Sequence, residues 1–116
     1  MSNAEELRER TKKFAIRIIR LFEASPKTTE AQVIGKQLLR SGTSVGANYR
    51  AVCRARSKAE FVARLGIVAE EADESVFWLE ILEETKTFNA KQLQEILKEA
   101  KELAAIFSAS QKTARG

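Results

Sequence analysis

The sequence predicts an all-α protein in which residues 1–116 form one domain, an antiparallel up-down-up-down four-helix bundle. The chain has only one Pro and five Gly in 116 residues, too few turn-forming residues for a β-sandwich. Four segments carry apolar residues at helical spacing. The connections between them are only a few residues long, and long helices joined by short loops pack as antiparallel neighbours. A long αα-hairpin that assembles with other chains is the alternative architecture.

Each segment opens on the pattern of a capping box, in which Ser, Thr or Asn is followed three residues later by Glu or Gln. In such a box the two side chains bind backbone N–H groups that have no partner in the first helical turn. The four pairs are Asn3 and Glu6, Thr29 and Gln32, Ser57 and Glu60, and Asn89 and Gln92. We therefore predict helices over about 4–24, 29–56, 58–85 and 90–110, with frayed residues after Ser110.

The first two predicted helices differ in their apolar faces. The first has a broad apolar arc opposite a basic side, and Ser25-Pro26 ends it because the residue before proline avoids the α conformation. The arc consists of Phe14, Ala15, Ile18, Ile19, Leu21 and Phe22. The inward positions of the second follow a strict heptad. They are Ile34, Leu38, Ser41, Val45, Asn48, Val52 and Ala55.

The third and fourth predicted helices are joined by a turn over 85–89. The inward positions of the third are Phe61, Leu65, Val68, Ala72, Leu79 and Leu82, and those of the fourth are Leu93, Leu97, Ala100, Leu103 and Phe107. Four further apolar side chains of the third helix cannot share its inward seam. They are Ile67, Phe77, Trp78 and Ile81. This surplus apolar surface predicts an oligomer interface.

The segment 41–48, SGTSVGAN, is unusual for the inside of a helix because each Gly costs about 1 kcal/mol relative to Ala. One interpretation is a nucleotide or phosphate loop. The other is a close helix crossing, with Ser41 and Asn48 hydrogen-bonded in the core. The heptad continues unbroken through the segment and favours the crossing.

Charge is segregated along the chain. Net charge is +4, yet no acidic residue lies between Glu30 and Glu60, whereas 67–85 holds seven acids and no base. Five bases of the acid-free region fall on one face at about 100° per residue. They are Lys36, Arg40, Arg50, Arg54 and Lys58. This stripe predicts binding to nucleic-acid phosphates, or else it is a solvated face or pairs with the acidic third helix of another subunit.

Several chemistries are excluded by what the sequence lacks. There is no His and only one Cys, Cys53, so His-dependent nucleophiles and disulfides within the chain are excluded. The acidic stretch lacks the His ligands of a di-metal bundle. We expect no enzyme, metal, cofactor or small-molecule substrate, and a buried Cys53. No apolar run of membrane-spanning length and no signal-peptide core is found, so we expect no membrane partner and a cytoplasmic location.

Two blocks carry a family resemblance. The first is 40–51, RSGTSVGANYRA, and the second combines SKAEF at 57–61, LGIV at 65–68, EA at 71–72 and FWL at 77–79. They resemble the second and third helices of the small bacterial four-helix-bundle proteins named for the intervening sequence of 23S ribosomal RNA. The resemblance implies a homopentameric ring. The family is similar to the accessory protein of diversity-generating retroelements, which is a basic barrel that binds nucleic acid and a reverse transcriptase.

The resemblance brings no catalytic residues with it. The function expected from sequence is therefore a non-enzymatic, homo-oligomeric accessory protein that binds RNA or DNA through the basic stripe and has a possible protein partner. The alternative is a protein-binding scaffold without nucleic-acid activity, in which the stripe only pairs with acidic helices of neighbouring subunits.

Overall fold

The computed structural model describes residues 3–116, which form four α-helices and no strand. The helices are α1 (Ala4–Glu23), α2 (Thr29–Cys53), α3 (Lys58–Glu84) and α4 (Ala90–Arg115). Each packs on its neighbours in chain order, and α4 returns to a smaller contact with α1. The all-α prediction is confirmed, and this packing is that of a four-helix bundle, 45 × 24 × 21 Å in extent.

Two helix ends differ from the sequence prediction. Helix α2 ends at Cys53 rather than near 56, because Ser57 is extended and caps α3 through its side chain. Helix α4 does not fray after Ser110 but continues to Arg115. Its last turns are held in place, since Ala114 packs against the core.

Only one of the four expected capping boxes forms completely. Asn89 and Gln92 bind each other's backbone N–H groups at the start of α4. At α3 the Ser57 side chain caps Glu60 N, while the Glu60 carboxylate accepts from Arg56 N instead of Ser57 N. At α2 the capping residue is Thr28, not Thr29, and at α1 the Asn3 side chain makes no capping hydrogen bond.

Helix α2 is buried along two flanks because it lies between α1 and α3. Between the two flanks lie three positions of the predicted seam, and all three are buried: Leu38, Val45 and Val52. The flank that includes Ser41 faces α3, where the Ser75 hydroxyl donates to Ser41 Oγ at 2.9 Å. A second flank faces α1 and is buried at Ala31, Gly35, Gly42 and Tyr49.

The glycines of α2 allow the close approach of α1. A Cβ on Gly42 would stand 2.8 Å from Ile18 Cγ1, and one on Gly46 would stand 3.3 Å from the Thr11 backbone. The segment 41–48 is helical throughout, so the loop interpretation is wrong and the crossing interpretation is confirmed. Asn48 corrects one detail: it is only half-buried, and it donates to Ser44 O of its own helix.

Helix α1 reaches α4 through one forked ion pair. The Arg10 guanidinium donates to both carboxylate oxygens of Glu99, each at 2.8 Å, and to Glu102 at 2.7 Å. These carboxylates raise the pKa of Arg10 above its ordinary value, chiefly through the hydrogen bonds with Glu99. A bidentate Arg–carboxylate contact fixes geometry as well as charge, so it sets where α1 meets α4.

The apolar positions expected to face inward divide into two groups. Those of α4 are all buried, as are the expected positions of α3 except Phe61, which is exposed near the last turns of α4. In α1 only Phe14 and Ile18 of the arc are buried, and Ile19 is exposed. The others, Ala15, Leu21 and Phe22, are half-buried. The reason is that α1 contacts α2 broadly and α4 only slightly, so the arc is covered mainly from one side.

Candidate nucleic-acid interface

The five bases of the predicted stripe do not form one continuous surface. Lys36 and Arg50 are separated by 14 residues of α2, or about 21 Å along the helix axis. Arg54 is the residue that caps the end of α2. Lys58 begins α3 and therefore does not continue the face of α2.

Arg40, in the middle of the stripe, is neutralised within its own chain. Its guanidinium contacts Glu71 at 3.1 Å and Glu74 at 2.5 Å, both on α3. The hydrogen bond from Arg40 holds the pKa of Glu74 below its ordinary value. One alternative from the sequence was that the stripe pairs with the acidic third helix of another subunit. Arg40 makes this pairing within its own subunit, so it is not available to bind a phosphate unless these contacts break.

Arg50 and Arg54, at the C-terminal end of α2, lie beside two bases of α1. Because α1 and α2 are antiparallel, the early turns of α1 stand next to the last turns of α2. Four cationic side chains meet there and line the groove between the two helices, which we name the α1–α2 cleft. They are Arg8, Lys12, Arg50 and Arg54, and together they are the cation cluster.

The four members of the cation cluster form no ion pairs within the described residues. None of its four side chains makes an ion pair or a side-chain hydrogen bond with any residue from 3 to 116, and all four are exposed. Each helix contributes two cations spaced four residues apart, which puts them on one face. Four like charges gathered without partners repel each other, so an anion bound among them lowers the energy of the arrangement.

The cleft has two parts that share the cation cluster. Towards the start of α1 it is also lined by Glu5, Glu9 and Cys53. Towards the middle of the helices the further lining residues are Ala15, Thr43, Gly46 and Ala47, with no acid among them. The second part is therefore the more positive of the two.

Behind the cleft lies a buried aromatic pair. Tyr49 is 7% exposed, and its ring centroid lies 5.3 Å from that of Phe107 on α4. Burial raises the pKa of Tyr49 to about 12, and the neighbouring Cys53 adds to the shift while Arg8 opposes it. The Tyr49 ring is therefore part of the core and is not available to stack on a base.

Cys53 is exposed, so the expectation of a buried thiol is wrong. Cys53 is the last residue of α2, and it lines the surface of the cleft together with Glu5 and Glu9. It is the only cysteine of the chain, and it stands between Arg50 and Arg54 in the sequence.

A smaller basic site adjoins the cation cluster. Arg54 also lines a pocket with Arg56 and Arg64, but Glu60 lies among them. The Glu60 carboxylate accepts from Arg64 Nε at 2.8 Å, and this bond is the main cause that lowers the pKa of Glu60. The pocket is thus partly neutralised, and it is a weaker candidate for binding anions.

The predicted oligomer surface on α3 is apolar and mostly open. Phe77 is 51% exposed and Ile67 is 42% exposed, whereas Trp78 and Ile81 are half-buried. The rings of Phe77 and Trp78 meet edge to face with centroids 4.9 Å apart, and Trp78 Nε1 donates to Glu74. We name these four residues the α3 apolar patch. Ile67 lies about 15 Å along the helix axis from Phe77, with Glu71 and Glu74 between them.

Two kinds of site are missing from the described part of the chain. Residues 3–116 hold no group of three or more Cys, Asp or Glu side chains placed to bind a metal ion. None of their helices is long and apolar enough to cross a membrane.

The sequence predicts only two of the four members of the cation cluster. Arg50 and Arg54 were predicted, but Arg8 and Lys12 were not, because α1 carries acids among its bases and shows no uniform stripe. The available signal was the four-residue spacing of Arg8 and Lys12 on the helix expected to run antiparallel to α2.

The comparisons with known proteins agree with this fold. Residues 5–109 match the family model described as 23S rRNA-intervening sequence protein. One similar solved structure is a protein of unknown function from the S23 ribosomal protein family of Bacteroides thetaiotaomicron. It is 33% identical, the match covers 94% of this chain and 97% of that one, and the TM-score is 0.85. No curated protein matches the chain.

Proposed function

The chain belongs to the 23S rRNA-intervening sequence protein family, and from this membership and the charges of the α1–α2 cleft we propose that it is a non-enzymatic accessory protein that binds RNA or DNA. The binding site is the cation cluster. Neither the family nor the solved neighbour carries an enzymatic description. The proposal includes action in the cytoplasm and a role similar to that of the accessory protein of diversity-generating retroelements.

One observation carries the proposal: four cations from two helices converge without forming an ion pair, and the part of the cleft towards the middle of the helices holds no acid. A protein whose charges only serve solubility disperses them or pairs them, as this chain does at Arg10, Arg40 and Arg64. Guanidinium groups present a planar fork that matches phosphate oxygens, and three of the four members are Arg. A phosphate backbone is the common polyanion that supplies several such charges in a row.

A second candidate function rests on a different observation. Arg40 is paired with Glu71 and Glu74, and the α3 apolar patch is open beside them. This surface suits another protein chain better than a nucleic acid. A protein-binding scaffold therefore remains the second candidate, and it differs from the first in requiring no contact at the cation cluster.

The nucleic-acid proposal predicts steeply salt-dependent binding. If all four cations contact phosphates, raising salt from about 50 to about 200 mM weakens binding about 50-fold for a single strand. Reversing Arg50 and Arg54 together to Glu is expected to lower the affinity at both salt concentrations. It also makes the affinity less dependent on salt, because fewer cations contact phosphates. Fluorescence anisotropy with a labelled RNA at both salt concentrations measures these changes.

The matched control reverses Lys91 and Lys98 to Glu on α4, which changes net charge equally at exposed positions outside the cleft. This variant is expected to retain most of the affinity. Absence of binding at low salt, or equal losses in the two variants, contradicts the proposal and favours the scaffold.

Homo-oligomerisation, as a pentameric ring, belongs to the same proposal. We expect light scattering to give a mass well above the 13.0 kDa of one chain. Trp78→Ala and Phe77→Ser should weaken the assembly, because large aromatics commonly anchor interfaces. A wild-type monomer at micromolar concentration contradicts this prediction.

A further inference from the structure

We infer that the exposed side of α3 binds the exposed side of α1 of a second copy of this chain, in a head-to-tail contact that repeats from copy to copy. This inference rests on the proposed homo-oligomerisation and names the two surfaces that make the contact. It depends on three features: the exposed apolar side chains of the two helices, the opposite charges around them, and the repulsion between two like surfaces.

Exposed large apolar side chains are concentrated on α1 and α3. Among residues 3–116 there are six, of which α2 contributes only Val33 and α4 contributes none. The other five are Ile16, Ile19, Phe61, Ile67 and Phe77. Exposed apolar surface gathered in this way marks an interaction site. Besides α3, only α1 therefore offers more than one such side chain to a partner.

The apolar side chains of α3 lie among acids. Residues 67–85 hold seven acids and no base. Two of these acids, Glu70 and Asp73, are exposed and make no ion pair with any residue from 3 to 116. At about 100° per residue, Glu70 points between the directions of Ile67 and Phe77, and Asp73 lies about one turn before Phe77. We name these four residues the outer face of α3.

The apolar side chains of α1 lie among bases. Residues 10–22 hold five bases and no acid. Lys13 and Arg17 are exposed, make no ion pair with any residue from 3 to 116, and line neither part of the α1–α2 cleft. They lie on the same side of the helix as Ile16, which is 45% exposed, and Ile19 follows about one turn later. We name these four residues the outer face of α1.

Each outer face repels a second copy of itself. Two α3 faces packed together bring Glu70 and Asp73 of both copies close, and two α1 faces do the same with Lys13 and Arg17. Like charges placed opposite each other at an interface cost several kcal/mol. An α1 face against an α3 face instead places opposite charges around the apolar side chains that meet. Charge complementarity therefore selects the contact between unlike faces.

A contact between unlike faces extends beyond two copies. In a two-fold dimer the same surface of both copies is used up, whereas here each end of a growing assembly keeps one face free until a ring closes. Exposed ion pairs contribute little free energy, so the apolar side chains supply most of the stability and the charges decide which faces meet.

The test exchanges the charges of the two faces. Glu70→Lys with Asp73→Lys makes the α3 face basic, and Lys13→Glu with Arg17→Glu makes the α1 face acidic. We expect each double variant alone to associate at least about tenfold more weakly than the wild type, because like charges then meet. Sedimentation velocity over a range of protein concentrations measures association, and circular dichroism confirms that each variant is folded.

Recovery of association distinguishes the inferred contact from a general effect of charge. Mixing the two double variants brings an acidic face against a basic face at every contact, and so does combining all four substitutions in one chain. We expect both to recover association to within about threefold of the wild type, because the substitutions compensate each other across the contact.

Two controls match these changes away from both faces. Lys91→Glu with Lys98→Glu on α4 alters net charge as much as the reversal on α1 does, and it is expected to leave association unchanged. Val33→Ser on α2 removes an exposed apolar side chain and is also expected to have no effect, whereas Ile16→Ser should weaken association.

The outcomes separate this inference from the proposal on which it rests. Wild-type assembly that either double variant leaves unchanged, or association that is lost in both and not recovered in their mixture, overturns the contact between α1 and α3 while homo-oligomerisation stands. A wild-type chain that is monomeric at micromolar concentration overturns homo-oligomerisation together with the inference, and it leaves the outer face of α3 to a different protein.

Discussion

Replacing Phe107 by Ala is expected to lower the free energy of unfolding by about 3–5 kcal/mol. The side chain is 0% exposed, and it packs against Tyr49 across the bundle from α4 to α2. Its loss removes the transfer free energy of a buried ring and leaves a cavity that the rigid helices cannot close. Domains of this size have only about 5–15 kcal/mol of stability in total, so the loss is a large share.

Urea denaturation followed by circular dichroism measures this loss. Phe107→Leu keeps most of the volume and provides a graded point if the Ala variant does not fold. The matched control is Phe61→Ala, because Phe61 is a partly exposed aromatic on α3. We expect it to cost about 1 kcal/mol or less. A cost for Phe107→Ala no greater than that of the control contradicts the described core.

Gly42→Leu is expected to destabilise the bundle by about 3 kcal/mol or more, at or above the upper end of the usual cost of overpacking. Even the first added carbon would stand 2.8 Å from Ile18 Cγ1, and Ile18 is itself fully buried. The helices α1 and α2 must separate to admit the side chain. This separation outweighs the gain in helix propensity, which is about 1 kcal/mol from Gly to a good helix former.

The matched control for Gly42 is Gly66→Ala on α3. A Cβ there would meet only the end of the flexible Gln111 side chain, which can move away. We therefore expect an unchanged or slightly raised free energy of unfolding for Gly66→Ala, measured by the same urea titration. If Gly42→Leu is as harmless as this control, the close crossing of α1 and α2 is wrong.

The fold was predictable because its signals are local. Helical periodicity and short loops require no knowledge of partners, and the inward positions of α4 were all correct. The seam of α2 was only half predicted. A heptad identifies the face that packs on one neighbouring helix, whereas α2 packs on both α1 and α3. The flank at Gly35, Gly42 and Tyr49 faces α1. Burial against α1 depends on the crossing, which no spacing within α2 specifies.

The candidate site was predicted less well because charge pairing is a tertiary property. Arg40 appeared as unneutralised as Arg50 in the sequence, yet it faces Glu71 and Glu74 one helix away. In the sequence Arg8 and Lys12 stand among acids of their own helix, yet in the structure they line the cleft with Arg50 and Arg54. A run of like charges along one helix therefore does not predict which cations are free of ion pairs. That depends on which side chains the neighbouring antiparallel helix places beside them.

The slight contact between α1 and α4 makes α1 the element whose separate opening costs least. Apart from the Arg10 fork, α1 depends mainly on α2 for its place in the bundle. Swinging it away exposes Phe14 and Ile18, but it leaves the packing of α2, α3 and α4 on one another intact. Local unfolding of this kind draws on the least stable unit of a protein. The cation cluster is divided between α1 and α2, so an anion that contacts both pairs of cations binds only while α1 is packed on α2. Binding of such an anion therefore raises the free energy of this local unfolding.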